Sequence, residues 1–257
     1  MSAFRRVFPA APAARAAIIA AVVAACAAAC TSSPSHPAAS GTSATPGTSA
    51  TGKASGSVSA ESAKQIATKA IGNLTTTSSL AVTGNVTESG QDLGLDVTLV
   101  KNQGCAGTVS DAGKGSLQLV ALHGKVWIKP SAAFYKSVGA TAFLPEVSGK
   151  WLTLTKSSEL GSFVKLCTVN VVASDSFDVA TSELTKSAGP TINGQPTIKI
   201  SQAGVGGAMY VSEAATPEVL RITVPGTGDL EFSDYGTPQK ITPPPSAGTI
   251  DGSQFGL

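Results

Sequence analysis

The chain has 257 residues, with 18 basic and 16 acidic side chains, two histidines and a formal net charge of +2. Charged residues make up only 13% of it, and no basic stripe or basic–aromatic alternation occurs, which argues against a nucleic-acid partner. The four cysteines form no C-x-x-C and the histidines no H-E-x-x-H, so a zinc site lacks its ligands. In chain order, the first element is an apolar run. From Ala16 to Cys30 it holds only Ala, Ile, Val and Cys, behind Arg5, Arg6 and Arg15 and no acidic residue. A basic stretch before an apolar one is the pattern of a secretory signal. The run is 15 residues long, whereas a bilayer span needs about 20. It also has no polar face with which a surface helix would meet water.

The run ends in Val22-Val23-Ala24-Ala25-Cys26-Ala27-Ala28-Ala29-Cys30, followed by Thr31-Ser32-Ser33. This resembles the lipobox of bacterial lipoproteins, a small-residue triplet before a cysteine that becomes lipidated. Val23-Ala24-Ala25 favours Cys26; the polar residues after Cys30 favour Cys30. Cleavage at Cys30 discards Cys26 and leaves Cys105 and Cys167 free to pair, whereas cleavage at Cys26 leaves an odd thiol in an oxidising compartment. Cys30 is therefore the expected lipidation site, with Cys26 as the alternative. Two acyl chains give stable attachment at about 0.8 kcal/mol per buried methylene, which implies a lipid anchor on the outer face of the cell membrane. Arg5-Arg6-Val7-Phe8 also resembles a twin-arginine export motif.

Residues 31–56 are nearly all Ser, Thr, Ala, Gly and Pro, with His36 and Lys53 as exceptions. Such a segment cannot bury enough apolar surface to offset its ordering entropy and is expected to be a disordered tether, holding the domain about 30 Å from the lipid. Within it, Gly47-Thr48-Ser49-Ala50-Thr51-Gly52-Lys53 matches the start of a P-loop. Ala54 stands where the Mg²⁺-binding hydroxyl belongs, and no apolar strand precedes the match. The resulting division is a signal over 1–29, a lipidated cysteine and tether over 30–57, one domain over 58–251 and a tail over 252–257.

The domain begins with a helical stripe between Ala60 and Leu74 carrying Ile66, Ala67, Ala70, Ile71 and Leu74. Period-two alternation follows. Leu80, Val82 and Val86 share a face, and then Leu93, Leu95, Val97 and Leu99, with residues 88–92 as the turn between. Cys105 opens a strand, Leu117 and Leu119 continue the pattern, and His123-Gly124-Lys125 turns the chain into Val126-Trp127-Ile128-Lys129. Phe134 and Val138 mark a short helix; Leu160, Phe163, Val164 and Cys167 mark another. Ile198 and Ile200, Met209 and Val211, Leu220, Ile222 and Val224, and Leu230 and Phe232 then alternate with polar neighbours. Asn193-Gly194 and Gly226-Thr227-Gly228 are hairpin turns.

One-sided strands at short spacing predict a large antiparallel sheet with one wet and one apolar face. Two or three short helices cannot cover an apolar face of about ten strands. The sheet must close on itself or curl around the helices and leave an apolar hollow. A Cys105–Cys167 disulfide would pin helix to sheet and contribute about 4 kcal/mol by the chain-entropy argument; the alternative is two buried free thiols.

Gly149-Lys150-Trp151-Leu152, Met209-Tyr210-Val211-Ser212 and Leu230-Glu231-Phe232-Ser233-Asp234-Tyr235-Gly236, followed by Pro243-Pro244-Pro245, occur in this order. With the lipobox and tether before them, they make the chain resemble the LppX/LprG-type lipoproteins of actinobacteria. These share the half-barrel fold of the carriers LolA and LolB. The resemblance covers residues 59–251 and implies an α+β fold: a curved, eleven-stranded half-barrel sheet with two or three short helices on its concave face. It further implies a cavity for acylated lipid or glycolipid, with an envelope transport protein as a candidate partner. The Cys105–Cys167 pair lies outside that family pattern.

The expected cavity lining is Leu95, Val97, Leu119, Phe134, Phe143, Leu144, Phe163, Ile200 and Ile222, with Phe143-Leu144-Pro145 as a flap. No cofactor and no metal is expected. Nor is catalysis: the domain's one histidine, His123, sits beside a turn glycine, no G-x-S-x-G elbow surrounds a serine, and no spacing selects a carboxylate pair. Trp127 and Trp151 are candidates to stack on a sugar or headgroup, or else simple core aromatics. Two further readings compete with a lipid carrier. One is a structural or interaction module of the envelope with the same fold packed solid. The other is an envelope hydrolase built on His123 or a carboxylate pair.

Overall fold

Apolar residues at every second position force a strand to bury one face and wet the other. In the computed structural model, which describes residues 58–88, 90–154, 167, 183–204 and 206–255, that pattern builds one sheet. Its strands are β1 (Ser79–Glu88), β2 (Gln91–Val100), β3 (Gly104–Asp111), β4 (Gly115–Leu122), β5 (Lys125–Pro130) and β6 (Trp151–Leu154), then β7 (Leu184–Ala188), β8 (Thr197–Gln202), β9 (Ala208–Ser212), β10 (Val219–Val224), β11 (Gly228–Ser233) and β12 (Thr249–Asp251). The spatial order is β12-β6-β5-β4-β3-β2-β1-β11-β10-β9-β8-β7. Two meanders, β1–β6 and β7–β11, thus meet where β1 pairs antiparallel with β11. The sheet is curved and unclosed, as the sequence led us to expect. It has twelve strands rather than eleven, because Thr249–Asp251 adds itself to β6 in parallel.

Cross-strand register aligns the apolar residues in rows. Leu152, Ile128, Leu119, Gly107, Val97, Val82 and Phe232 stand opposite one another in turn. A second row runs Leu117, Val109, Leu95, Gly84, Leu230, Ile222, Met209, Ile200. Both rows belong to the main hydrophobic cluster apart from the glycines. The two-residue turns obey the twist of the strands they join. His123 and Gly124 both have positive φ, 46° and 84°, and so do Asn193 and Gly194, 50° and 77°.

The inner face is covered by α1 (Ala63–Thr76), whose Ile66, Ala67, Ala70 and Leu74 are fully buried. It packs on β7, β9 and β10. The helix begins at Ala63, three residues later than the apolar stripe indicated. Ser62 and Gln65 form a capping box in which each side chain accepts from the other residue's backbone N–H. The second helix, α2 (Ala132–Ser137), is capped by Ser131 and rests on β4 with Phe134 and Tyr135 buried. A single turn, α3 (Leu144–Val147), follows. The expected helix around Leu160, Phe163 and Val164 lies outside the described residues, as do the signal, Cys26, Cys30, the tether and its P-loop-like stretch.

The outer face is not uniformly wet, which corrects the one-sided expectation. Val100, Val120 and Ile241 form a second buried cluster, joined by Ala106, Leu122, Trp127 and Trp151. The chain leaves β11 beside β1 and reaches β12 beside β6, so residues 234–248 cross the outside of β1–β5. That distance is about 34 Å at the usual strand spacing. Pro243-Pro244-Pro245 suits an extended crossing without ladder hydrogen bonds, and Ile241 plugs the patch. Trp127 and Trp151 therefore serve here as packing residues. One residue also changes place: a bulge at Leu220 in β10 puts Val219, not Leu220, in the main cluster with Ile222. Elsewhere on the outside, Arg221 pairs with Glu231 across the strands and with Asp229 at 3.5 Å. The packing runs past Asp251, where Gly252–Phe255 forms a 3₁₀ turn and Phe255 meets Phe143 edge to face at 5.6 Å.

Ile241→Ala should destabilise the fold by about 2–3 kcal/mol, since a 6% exposed aliphatic plug is lost. Ser62→Ala should cost about 1 kcal/mol. Urea unfolding followed by far-UV circular dichroism measures both, and an Ile241→Ala effect below about 0.5 kcal/mol would remove the plug argument.

Candidate functional site

Three connections meet at one end of the sheet: the α1–β1 link, the β2–β3 turn and the β4–β5 turn. Backbone hydrogen bonds tie them together. Lys101 N–H donates to Ser78 O at 2.9 Å and His123 N–H to Gln103 O at 3.1 Å. The exit from β11 joins them through Gly236 N–H, which donates to Ser79 O at 3.1 Å. Asn102 takes a left-handed φ of 62° to make the β2–β3 turn. Gly104 follows at φ 152°, where a Cβ would lie 1.8 Å from Ala121 O, so only glycine allows β3 to approach β4 so closely.

Behind these connections lies a cavity of about 470 Å³, inside the 300–1,000 Å³ range of small-molecule pockets. It borders the last inner-face row, Leu80, Leu99, Ala121 and Val126, which stand on β1, β2, β4 and β5, are at most 5% exposed and belong to the main cluster. Cys105 completes that row on β3 and forms a disulfide with Cys167, which lines the cavity wall. The Cα atoms are 5.2 Å apart, an ordinary span for such a bridge. Thr75, Thr77 and Ser79 line the side below the end of α1, and Lys101, Asn102, Gln103 and Lys125 form the rim. The Lys101 ammonium donates to Thr76 O at 3.3 Å, at the carbonyl end of α1, where a cation is favoured.

The structure brings most of the expected lining residues together, but not here. Leu95, Val97, Leu119, Phe134, Ile200 and Ile222 belong to the main cluster and are at most 7% exposed; Phe143 and Leu144 pack on its edge. None of these eight is among the residues lining this cavity. Phe163 lies outside the described residues. Sequence reasoning missed the end row because alternation identifies a face, not a position along it. The usable signal was the pair of even-numbered turns: in a meander, the β2–β3 and β4–β5 turns share one end of the sheet, and each is flanked by a lysine.

His123 is exposed on its turn. Among the described residues, no three of His, Cys, Asp and Glu are grouped as a metal site, and no helix is long and apolar enough to cross a membrane. Two tyrosines are buried differently. Tyr235 donates its hydroxyl to Val219 O at 2.6 Å, and burial raises its pKa. Among the described residues the Tyr135 hydroxyl has no hydrogen-bond partner, and burial pushes its pKa up to about 12.

No family model and no curated protein matches the chain. Solved structures are similar to it over about 70% of its length. LprF from Mycobacterium bovis is 13% identical over 71% of this chain and 96% of that one, with a TM-score of 0.48. The lipoprotein LppX from Mycobacterium tuberculosis is 11% identical over 70% and 98%, with a TM-score of 0.45. An uncharacterized conserved protein from Thermus thermophilus is 14% identical over 74% and 98%, with a TM-score of 0.33.

Replacing both Cys105 and Cys167 by Ser should cost about 4 kcal/mol, since the bridge closes a separation of 62 residues; urea unfolding of oxidised and variant chains gives the difference. Tyr135→Phe should be neutral or stabilising by up to about 1–2 kcal/mol, because it removes an unsatisfied hydroxyl. With the folded pKa above the unfolded 10.0, Tyr135 contributes stability that is intact below pH 10 and declines as pH rises towards 12. The Phe variant should flatten that decline in a pH series of thermal melts.

Proposed function

We propose that the chain is an exported lipoprotein, anchored to the outer face of the cell membrane, that binds acylated lipid or glycolipid and carries or presents it in the envelope. The cavity supports this reading most directly. It lies between the aliphatic end row and the polar and basic residues of the turns, in a sheet whose inner face is apolar across both meanders. An apolar hollow with a few convergent polar groups suits a lipid chain. The cysteine-ended apolar run at the N-terminus supports the anchor, with Cys30 ahead of Cys26 as the acylated residue. The reading assigns no catalytic step, and His123 has no role in it.

A second reading, an envelope structural or interaction module with the same fold and no ligand, draws on a specific observation. Leu95, Val97, Leu119, Ile200 and Ile222 are packed into one continuous buried cluster that also takes in Leu80, Leu99, Ala121 and Val126 beside the cavity. Mass spectrometry of organic extracts from the natively purified chain separates the two. Acylated lipid in stoichiometric amount is the expected result; repeated recovery of empty protein that takes up no acylated lipid would favour the module. For the anchor, Cys30→Ala should move the chain from the membrane to the soluble fraction, while Cys26→Ala should leave it membrane-bound; the reverse pattern would make Cys26 the lipidated residue.

A further inference from the structure

The two halves of the disulfide stand in different surroundings. Cys105 lies on β3 in the last inner-face row, between Leu99 and Ala121, and is 0% exposed. Cys167 packs against the edge of the same hydrophobic cluster, but it is partly exposed and lines the wall of the cavity. The bridge therefore runs outwards from the core, with one end closed off and the other at a solvent-reaching wall. Exchange of a disulfide with a thiol has a direction. An incoming thiolate attacks one sulfur and the other leaves, and access helps to decide which is attacked. At Cys167 a small thiolate enters from the cavity. At Cys105 it would have to pass through packed aliphatic side chains.

We propose that the bridge exchanges with small thiols through Cys167 alone, which makes Cys167 a site of reversible S-thiolation and Cys105 the leaving and resolving sulfur. The reagent's thiolate sulfur forms a bond to Cys167 Sγ. The Cys105–Cys167 bond breaks, its electron pair leaves on Cys105, and Cys105 then takes up a proton. One disulfide and one thiol become one mixed disulfide and one thiol, so the step itself involves no net oxidation. Attack of Cys105 on the mixed disulfide restores the bridge and releases the reagent. A second reagent thiolate reduces the chain instead and is itself oxidised to the reagent's disulfide. An apolar setting disfavours the thiolate of Cys105, which makes it a poor leaving group and keeps the forward exchange slow. In the opposite direction, a small disulfide loads the reduced chain at Cys167 first, and Cys105 closes the bridge. The proposal is independent of what the cavity binds.

The test uses the full 257-residue chain with its bridge intact and with Cys26 and Cys30 replaced by Ala, so that no other cysteine reacts. The folded chain is incubated with excess reduced glutathione at about pH 8, where part of the reagent is thiolate. It is then quenched in acid, unfolded, treated with N-ethylmaleimide and digested, and the peptides are quantified by mass spectrometry. Glutathione should be found on Cys167 and maleimide on Cys105, in about tenfold excess over the opposite arrangement. The rate should not change with urea below the unfolding transition. Equal labelling of the two sulfurs, or a rate that follows unfolding, would overturn the proposal. So would a bridge that glutathione opens only in the unfolded chain. The single variants Cys105→Ser and Cys167→Ser, verified as folded by circular dichroism, give a second measurement. Dithiodipyridine should react with the remaining Cys167 about tenfold faster than with the remaining Cys105; equal rates would overturn the assignment.

Discussion

An unclosed sheet with an apolar inner face must be covered, and among the described residues the helices that cover it are short. The fourteen-residue α1 seals the half built from β7 to β11, and the six-residue α2 rests on β4. Nearly every other feature follows from how the remaining apolar surface is removed from water. The middle rows of the sheet close on themselves, because curvature brings Leu95, Val97, Leu119, Ile200 and Ile222 into one cluster. At the end where α1 stops, the last row is buried as well, and the hollow lies beside it under the chain links, with Cys167 of the disulfide in its wall.

The outer face shows the same requirement met differently. A patch formed by Val100, Val120 and the two tryptophans is covered not by a helix but by an extended, proline-rich return of the chain. That return ends by adding β12 to β6. The last residues are thereby fastened to the far edge of the first meander, and the β1–β11 seam is not the only link between the two halves. The disulfide from β3 to Cys167 is a third fastening. These ties all act on the meander that borders the cavity, so the hollow sits in the more heavily braced part of the sheet.

Much of the fold could be read from the sequence, for a physical reason: half-buried strands announce themselves by alternation. β1, β2, β4, β5, β8, β9 and β11 were legible this way, and so were α2 and the two-residue turns at His123-Gly124 and Asn193-Gly194. The parts that were not legible lack the signal. β7 (Leu184–Ala188) is an edge strand with four consecutive exposed residues among its five. β12 is three residues long and pairs in parallel with a strand about a hundred positions away. The start of α1 is fixed by a capping box rather than by apolar period, and the bulge at Leu220 shifts a face by one residue without a glycine to mark it. Of the candidate site, alternation could place residues such as Leu95, Val97, Leu119, Ile200 and Ile222 on the inner face, where they occupy its middle rows. The cavity uses the end row together with polar and cationic residues from turns, which a search for apolar lining passes over.

The central claim is that the hollow at the end of the sheet is a chain-binding site and not a packing defect. Soaking crystals of the chain with an acyl chain brominated at its terminal carbon tests it most directly. The account predicts an anomalous bromine peak within van der Waals distance of Leu80, Leu99 or Val126. A refined structure in which side chains fill this space, or in which bromine is found only on the outer surface, would contradict it.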